Sequence, residues 1–325
     1  MKSGRTYSIW ARAAGAVLAG AMAFGLAACG SDEDSAGGGD SLTIQHARGE
    51  TTIDGTPERI VVLGNQWLDT ALALGVTPVG YLDNVAVLSK STPPWQGPIA
   101  SSAKQIEATG DIPEQVAALE PDLILADTFI ADQPRYDAFS KIAPTLPGLS
   151  KEIVSPWQEL VTTLGKVLHK EDAATALIAG VDSKITAITQ ANPGLKGKTF
   201  ASTWLGGPSQ LMVLTDPNDG SGKVFGQLGL GIPQNLIAMP SSQGRVSLSP
   251  ERLDELTSDL LLAGYTPGME SKYRELPGYA DLPSVRKGGV VFLSTQEITA
   301  VNQPTVQSIP YILDKLTPAL VNISK

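Results

Sequence analysis

Side chains that could bind a metal ion or attack a substrate are few among the 325 residues of this sequence. The two histidines, His46 and His169, are far apart, and the single cysteine is Cys29. Metal-binding motifs place such ligands a few residues apart, and this spacing is absent. The sequence also lacks the Gly-x-Ser-x-Gly motif of a nucleophilic serine. Gly197-Lys198-Thr199 is similar to the end of a phosphate-binding loop, but position 192 is Asn instead of the required glycine. We therefore expect no metal site, no cofactor and no enzymatic activity.

Aromatic and basic side chains form a second group, which could hold a ligand. In open α/β sheets, ligands bind beyond the carboxyl ends of the strands, and flat rings over an exposed cleft are a suitable platform. The aromatic candidates at predicted strand ends, or in loops near them, are Trp67, Tyr81, Trp95, Phe129, Trp204 and Tyr265. The basic candidates are Arg135 and Arg245. The alternative for each ring is packing against its own loop.

Alternating strands and helices must position these side chains. Continuous apolar runs predict buried strands at Ile60–Leu63, Asp122–Ala126, Asp259–Ala263 and Val290–Leu293. Helical patterns lie between the strands, as in Trp67–Leu74. Strands that alternate with helices through short connections indicate parallel sheets, so the predicted fold class is α/β.

Two predicted helices divide this pattern into halves of similar length. Ser155-Pro156-Trp157-Gln158 is typical of a capping box, with the serine as N-cap. After a polar break at His169–Asp172, a second helix runs to Gln190, roughly 28 Å in length. It suits a rigid connection between two lobes, although an ordinary helix within one continuous sheet is the alternative. We therefore predict an N-terminal lobe at 42–155, linking helices at 156–192 and a C-terminal lobe at 193–325.

One segment of the sequence occurs twice. Pro113–Ala126 aligns without gaps with Pro250–Ala263, and the prolines, glutamates, aspartates and alanines coincide. Each copy predicts a short helix that begins near its proline, then a turn and a buried strand. An acid in the first helical turn is stabilised by the helix dipole by about 0.3–1 kcal/mol, which is one explanation for Glu114 and Glu251. A role in binding is the other.

The first 41 residues have the composition of a leader and a tether. Basic residues precede an apolar stretch that is too short and too weakly hydrophobic for a comfortable membrane span. It ends in Leu26-Ala27-Ala28-Cys29, which resembles the bacterial lipobox, whose cysteine is diacylated. We therefore expect a signal peptide at 1–28, a lipid on Cys29 and a flexible acidic tether at 29–41. A free cysteine at the end of a signal peptide is the alternative.

The charge of the chain argues against two classes of partner. The formal net charge is −9, and removal of the three leader cations Lys2, Arg5 and Arg12 gives −9 − 3 = −12. A strongly acidic protein is not expected to bind nucleic acid or to adsorb to anionic lipid. Attachment to a membrane would therefore depend on the lipid alone.

The order of motifs resembles one known family. The lipobox and tether are followed by Pro57–Val61, by Gly110–Ile124, by Ser249-Pro250-Glu251 and by Tyr279–Gly288. From about residue 42 to 320, the chain resembles the substrate-binding lipoproteins of ABC importers for ferric siderophores, haem and cobalamin. The resemblance implies two Rossmann-like lobes with central parallel sheets, joined by one long helix, and a ligand in the cleft between them. It also implies that Glu114 and Glu251 dock on arginines of the membrane permease. We expect a monomer, anchored by its lipid on the extracytoplasmic face of the cell membrane.

Basic residues bear on the choice of ligand. Family members that bind anionic tris-catecholates line the cleft with Arg and Lys, and several siderophore binders carry a basic residue just before the Pro-x-Glu segment. Here Ala108–Asp111 has none. This departure favours a neutral or cationic ferric hydroxamate, in which the siderophore already coordinates the iron. Cobalamin and haem are alternatives within the family, and an interaction or sensor lipoprotein without cargo is an alternative of another class.

Overall fold

The N-terminal hairpin is the first element of the computed structural model, which describes residues 41–150 and 152–325. Its two antiparallel strands are β1 (Ser41–His46) and β2 (Gly49–Asp54). Ser41, expected in the tether, instead pairs with Asp54 at the open end of this hairpin. The predicted signal peptide, Cys29 and the tether up to residue 40 lie outside the described residues.

A parallel sheet of five strands forms the N-terminal lobe. Its strands are β3 (Ile60–Leu63), β4 (Gly80–Leu82), β5 (Lys104–Gln105), β6 (Leu123–Ala126) and β7 (Thr145–Leu146). The helices of this lobe are α1 (Asn65–Ala73), α2 (Asn84–Ser89), α3 (Ile112–Ala117) and α4 (Gln133–Phe139). The spatial order is β5-β4-β3-β6-β7. Strands β3 and β6 are buried along their whole length, as their continuous apolar sequences predict.

The two linking helices differ in what they pack against. They are α5 (Trp157–Val167) and α6 (Glu171–Ala191). The predicted capping box of α5 is wrong: its N-cap is Pro156 and no side chain caps it. Ser155 is buried instead, and its backbone N–H and C=O pair with the amide of Gln66 at 3.1 and 2.9 Å. Helix α5 therefore packs against α1 of the first lobe, and the 21-residue α6 makes the connection to the second.

A mixed sheet of five strands forms the C-terminal lobe. Its strands are β8 (Phe200–Gly207), β9 (Gln210–Leu214), β10 (Arg245–Leu248), β11 (Leu260–Tyr265) and β12 (Val290–Leu293). Its helices are α7 (Gly220–Gln227), α8 (Gln234–Ile237), α9 (Glu270–Arg274), α10 (Pro283–Arg286), α11 (Thr295–Asn302) and α12 (Ser308–Ile323). In the order β10-β9-β8-β11-β12, only β9 runs against its neighbours. Pro208 and Ser209 alone join β8 to β9, and so short a turn can link only antiparallel strands.

The repeated segment occupies the same place in both lobes. Strands β6 and β11 each lie in the fourth position of their sheet, parallel to β3 and β8 respectively. The aspartate before each strand accepts backbone N–H groups where the neighbouring strand begins. Asp122 accepts from Glu58 and Arg59 at 2.8 and 2.9 Å, and Asp259 accepts from Thr199 at 2.9 Å. The coincident aspartates thus set the register between the third and fourth strands of each sheet.

The hydrophobic core is continuous through both lobes. One buried cluster contains residues of the helices α1, α5, α6 and α12. The same cluster includes one face of the N-terminal sheet and residues of the C-terminal sheet. A smaller cluster covers the other face of the N-terminal sheet and includes Val61, Ile124 and Phe139. The lobes therefore share packing along the linking helices instead of having independent cores.

Candidate functional site

An open face of the C-terminal sheet provides the base of the candidate site. Trp204 of β8 lies opposite Met212 of β9, which lies opposite Ser247 of β10. Side chains alternate between the two faces of a strand, so Leu214 and Arg245 share this face. A cavity of about 230 Å³ lies on this face. It is lined by Trp204, Met212, Leu214 and Arg245, together with Ser202, Thr203 and Asn302.

A larger cavity of about 790 Å³ adjoins this face. Its walls come from the segment before α5, the start of α7, the loop before β10 and the end of α11. They include Glu152, Ile153, Asp216, Asp219, Gln243 and Gln303. Met212, Arg245 and Asn302 line both cavities, which makes them parts of one site. Its volume is in the range of a small-molecule pocket, roughly 300–1,000 Å³.

Apolar side chains are exposed at this site. Trp204 is 38% exposed and Ile153 is 46% exposed. Exposed large apolar side chains grouped at a concave surface are typical of a place where a ligand or partner removes them from water. The tryptophan ring, the thioether of Met212 and Ile153 can therefore contact an apolar or flat ligand surface.

The charged groups of the cavity are largely paired. Arg245 Nη2 lies 3.0 Å from Asp219 Oδ2, and Lys223 Nζ lies 2.9 Å from Glu152 Oε2. Asp216 accepts the backbone N–H of Asn218 at 2.8 Å, and no ion pair involves it among the described residues. The four charged groups that line the cavity, Glu152, Asp216, Asp219 and Arg245, carry a formal charge of −2. Lys223, which pairs with Glu152 but does not line the cavity, brings the total to −1, so the described walls present no excess of positive charge.

Of the residues predicted to bind a ligand, Trp204 and Arg245 are brought together by the structure. The prediction that the Trp67 ring faces the cleft is wrong, because its side chain is fully buried. Trp67 is the third residue of α1 and packs in the core that α1 shares with α5. Trp95 is half-buried against Tyr311, with ring centres 5.6 Å apart, and its Nε1 donates to Asp69 at 3.0 Å.

The other predicted ligand contacts line neither of these cavities. Tyr81 lies in β4 and packs against the core, and Tyr265 lies beside Phe292 at 6.3 Å between ring centres. Arg135 is exposed on α4. Phe129, three residues after the end of β6, is 41% exposed, and a ligand in a wider cleft could meet it. Their ligand contacts stay predictions.

Several residues of the site were missed from the sequence. Ile153, Met212, Asp219, Asn302 and Gln303 do not follow the carboxyl end of a parallel strand. Met212 points into the site because the pairing of β9 with β8 places it opposite Trp204, and Asp219 does so because it caps α7. The turn residues at 206–209 were a usable signal, because they predict a hairpin that adds strands to the sheet edge.

The glutamates of the repeated segment are both exposed, away from the cavity walls. Glu114 is in the first turn of α3, where its backbone N–H is bound by Asp111 Oδ1 at 3.0 Å. Glu251 is in the first turn of a 3₁₀ helix, Pro250–Glu255, that Ser249 caps. Both carboxylates are therefore accessible to a partner, one on each lobe.

The described part of the chain shows neither a cluster of metal ligands nor a membrane-spanning helix. Within 41–150 and 152–325, no three or more His, Cys, Asp or Glu side chains are grouped as a metal site. In the same ranges, no helix has both the length and the apolar character of a membrane span.

Three relatives resemble the chain over most of the folded part. The probable siderophore-binding lipoprotein YfiY of Bacillus subtilis (strain 168) is 28% identical over 67% of this chain and 67% of its own length. The Fe(3+)-citrate-binding protein YfmC of the same organism is 28% identical over 82% of this chain and 84% of its own. The iron(3+)-hydroxamate-binding protein FhuD, also from B. subtilis, is 26% identical over 82% of this chain and 84% of its own length.

The fold and the sequence both match a single family. A periplasmic solute binding protein from Mycobacterium smegmatis superposes with a TM-score of 0.71 and 26% identity, over 88% of this chain and 99% of its own. The model of the family described as periplasmic binding protein matches residues 60–297, more than half of the chain. The α/β fold class and the family resemblance predicted from the sequence are confirmed, and the chain belongs to the periplasmic binding protein family.

Proposed function

We propose that this protein is an extracytoplasmic solute-binding protein that captures a ferric siderophore in the cavity beside Trp204 and Arg245 and delivers it to an ABC permease. The observation that carries the proposal is the open sheet face, where Trp204 and Met212 adjoin a cavity of about 790 Å³ between the segment before α5 and the second lobe. The names of YfiY, YfmC and FhuD support iron-complex binding as the class of function. Lipid attachment at Cys29 and a monomeric state belong to the same proposal.

The paired charges favour a neutral or cationic ligand. A trianionic ferric complex would need free cations, but Arg245 is held by Asp219 and Lys223 by Glu152. Asp216 adds a further negative charge to the wall. A ferric hydroxamate, whose six oxygen ligands already surround the iron, suits these walls better than a ferric catecholate. No protein ligand to iron and no resident cofactor is then required.

Tryptophan emission provides the test of cargo. We expect ferric hydroxamates to quench the emission at micromolar concentrations, because Trp204 is exposed in the cavity. Trp204→Phe should remove most of the quenching, whereas Trp95→Phe should retain it, since Trp95 packs against Tyr311. Quenching by haem or cobalamin alone would replace the siderophore with that ligand. No quenching by any of these compounds would favour the cargo-free alternative.

Delivery to a permease is proposed to depend on Glu114 and Glu251. Each is an exposed carboxylate in the first turn of a helix, and the two helices precede the equivalent strands β6 and β11. A permease built from two copies of one subunit could bind both with the same basic residues, one from each copy. This arrangement accounts for a glutamate at the same place in both lobes, which the helix dipole favours but does not require.

A further inference from the structure

Asp219 makes two separate sets of contacts at the edge of the cavity. Its Oδ1 accepts from the backbone N–H and the hydroxyl of Ser221, at 3.1 and 2.7 Å, and so caps α7. Its Oδ2 accepts from Arg245 Nη2 at 3.0 Å. The side chain is only 11% exposed. The helix cap therefore holds this carboxylate in place, independently of the arginine.

Arg245 is constrained by that fixed carboxylate. It is the only basic residue among the described residues that line the two cavities. Its guanidinium bonds Asp219 through Nη2 and the Gly244 carbonyl through Nη1 at 3.4 Å. An anionic ligand that recruited this guanidinium would leave a nearly buried carboxylate without its partner, which is unfavourable. The ion pair between Asp219 and Arg245 therefore opposes anion binding, although the cavity contains an arginine.

We propose that Asp219 is the residue that sets ligand selectivity: by holding Arg245, it makes the cavity reject anionic ferric complexes in favour of neutral or cationic ones. The inference rests on the proposed function, because it concerns the choice among ligands of the same cavity. Asp219 acts through Arg245 and is thus a positioning residue. Released from Asp219, the guanidinium could make charge-assisted, two-pronged hydrogen bonds to a carboxylate of the ligand.

Two variants separate the release of Arg245 from a simple change of charge. Asp219→Asn retains an amide oxygen to cap α7 but removes the charge that holds Arg245. Asp216→Asn removes one negative charge from the same cavity wall and leaves the Arg245–Asp219 pair intact. The melting temperatures of both variants are measured to check that each one folds.

The measurement is the Kd of ferrichrome, a neutral ferric hydroxamate, and of ferric citrate, an anionic complex, for the full mature chain. We expect the ratio of the two Kd values to shift towards ferric citrate by about tenfold or more in Asp219→Asn, as one strong charged hydrogen bond permits. In Asp216→Asn the shift should be less than about threefold, because only the weak field of a solvent-accessible charge changes. The double variant Asp219→Asn/Arg245→Gln should lose the gain.

Equal shifts in Asp219→Asn and Asp216→Asn would overturn the inference and leave the siderophore-binding function standing. So would a wild type that binds ferric citrate as tightly as Asp219→Asn. A wild type that binds neither complex overturns the proposed function instead.

The ion pair between Asp219 and Arg245 is then tested by phenylglyoxal modification of Arg245, which peptide mass spectrometry detects. Its rate should rise in Asp219→Asn and not in Asp216→Asn, and equal rates in the wild type and Asp219→Asn refute the role of Asp219.

Discussion

At the scale of single residues, Asp127 couples the N-terminal sheet to α1. It directly follows β6, is nearly fully buried, and accepts the backbone N–H groups of Gln66 and Trp67 at 3.0 and 3.1 Å. Gly64, with φ of 106°, precedes the helix, and a Cβ there would lie 2.3 Å from Asp127 Oδ2. Glycine is therefore required for the carboxylate to reach the helix end.

Burial raises the pKa of Asp127 to about 7, although backbone N–H donors, those of Gln66 and Trp67 foremost, oppose the shift. The carboxyl of the unfolded chain titrates near 3.8. The folded state thus binds this proton more tightly, and the stability that Asp127 contributes is full below pH 3.8 and is lost as the pH rises through about 7.

We therefore expect the wild type to gain about 1 kcal/mol of unfolding free energy relative to Asp127→Asn when the pH falls from about 7.5 to 6. Urea unfolding at several pH values measures this difference. Comparison with the variant removes the opposite contribution of His46, whose pKa is lowered by burial and which therefore costs stability as the pH falls. Parallel pH profiles would show that Asp127 keeps an ordinary pKa.

At the scale of elements, two helical glycines test how α5 and α6 are built. Gly180, in α6, is exposed, and a Cβ there would meet no atom within 4 Å. Gly165, in α5, lies against α6, and its Cβ would be 2.6 Å from the Cβ of Ala174. The same substitution should thus have opposite effects in the two helices.

Gly180→Ala should stabilise the protein by about 0.5–1 kcal/mol, because alanine lowers the conformational entropy of the unfolded chain. Gly165→Ala should destabilise it by about 1–3 kcal/mol, because a methyl group forces the packed helices apart. Thermal and denaturant unfolding provide both values. A destabilised Gly180→Ala would indicate that α6 is not exposed to solvent at Gly180.

At the scale of the whole molecule, the lobes are joined by more than the linking helix. Thr305, before α12, donates to the buried Asp69 of α1 at 2.6 Å. Burial raises the pKa of Asp69 to about 6, and three donors oppose that shift. Gln296 of α11 donates to the Ser91 carbonyl at 2.7 Å. These bonds, with the shared core, favour small movements between the lobes over a wide hinge opening.

Transport tests the proposed docking of both lobes. Glu114→Lys/Glu251→Lys should reduce siderophore uptake strongly, since an interfacial carboxylate opposite an arginine is worth a few kcal/mol and its reversal adds repulsion. The folding cost should be below about 1 kcal/mol for each site, because Asp111 and Ser249 still cap the helices. Ligand affinity should persist, because neither glutamate lines the cavity.

The matched control is Glu171→Lys, which reverses an exposed acid in the first turn of α6. Labelled-siderophore uptake, melting temperature and ligand affinity are measured in parallel. Normal uptake by the Glu114→Lys/Glu251→Lys variant would show that neither glutamate docks on a permease, and would leave each one only a role at its helix end.

The sequence by itself determined the fold class, most strand positions and the equivalence of the two repeated segments. Strands such as β3 and β6 were predictable because a strand buried on both faces must be apolar throughout. The α1 and α6 boundaries were nearly correct because helix periodicity and breakers are local properties. The reversed β9 could also have been predicted from the turn at Pro208-Ser209.

Only the tertiary structure decided which of these residues form the site. Trp67 and Trp204 were both predicted near strand ends, but Trp67 is fully buried in the core that α1 shares with α5, whereas Trp204 is 38% exposed and lines a cavity. Asp219 and Arg245 are 26 positions apart and meet because one caps α7 while the other begins β10. Local sequence patterns show whether a side chain is polar or apolar. The solvent exposure of that side chain and its ion pairs depend instead on which distant elements pack around it.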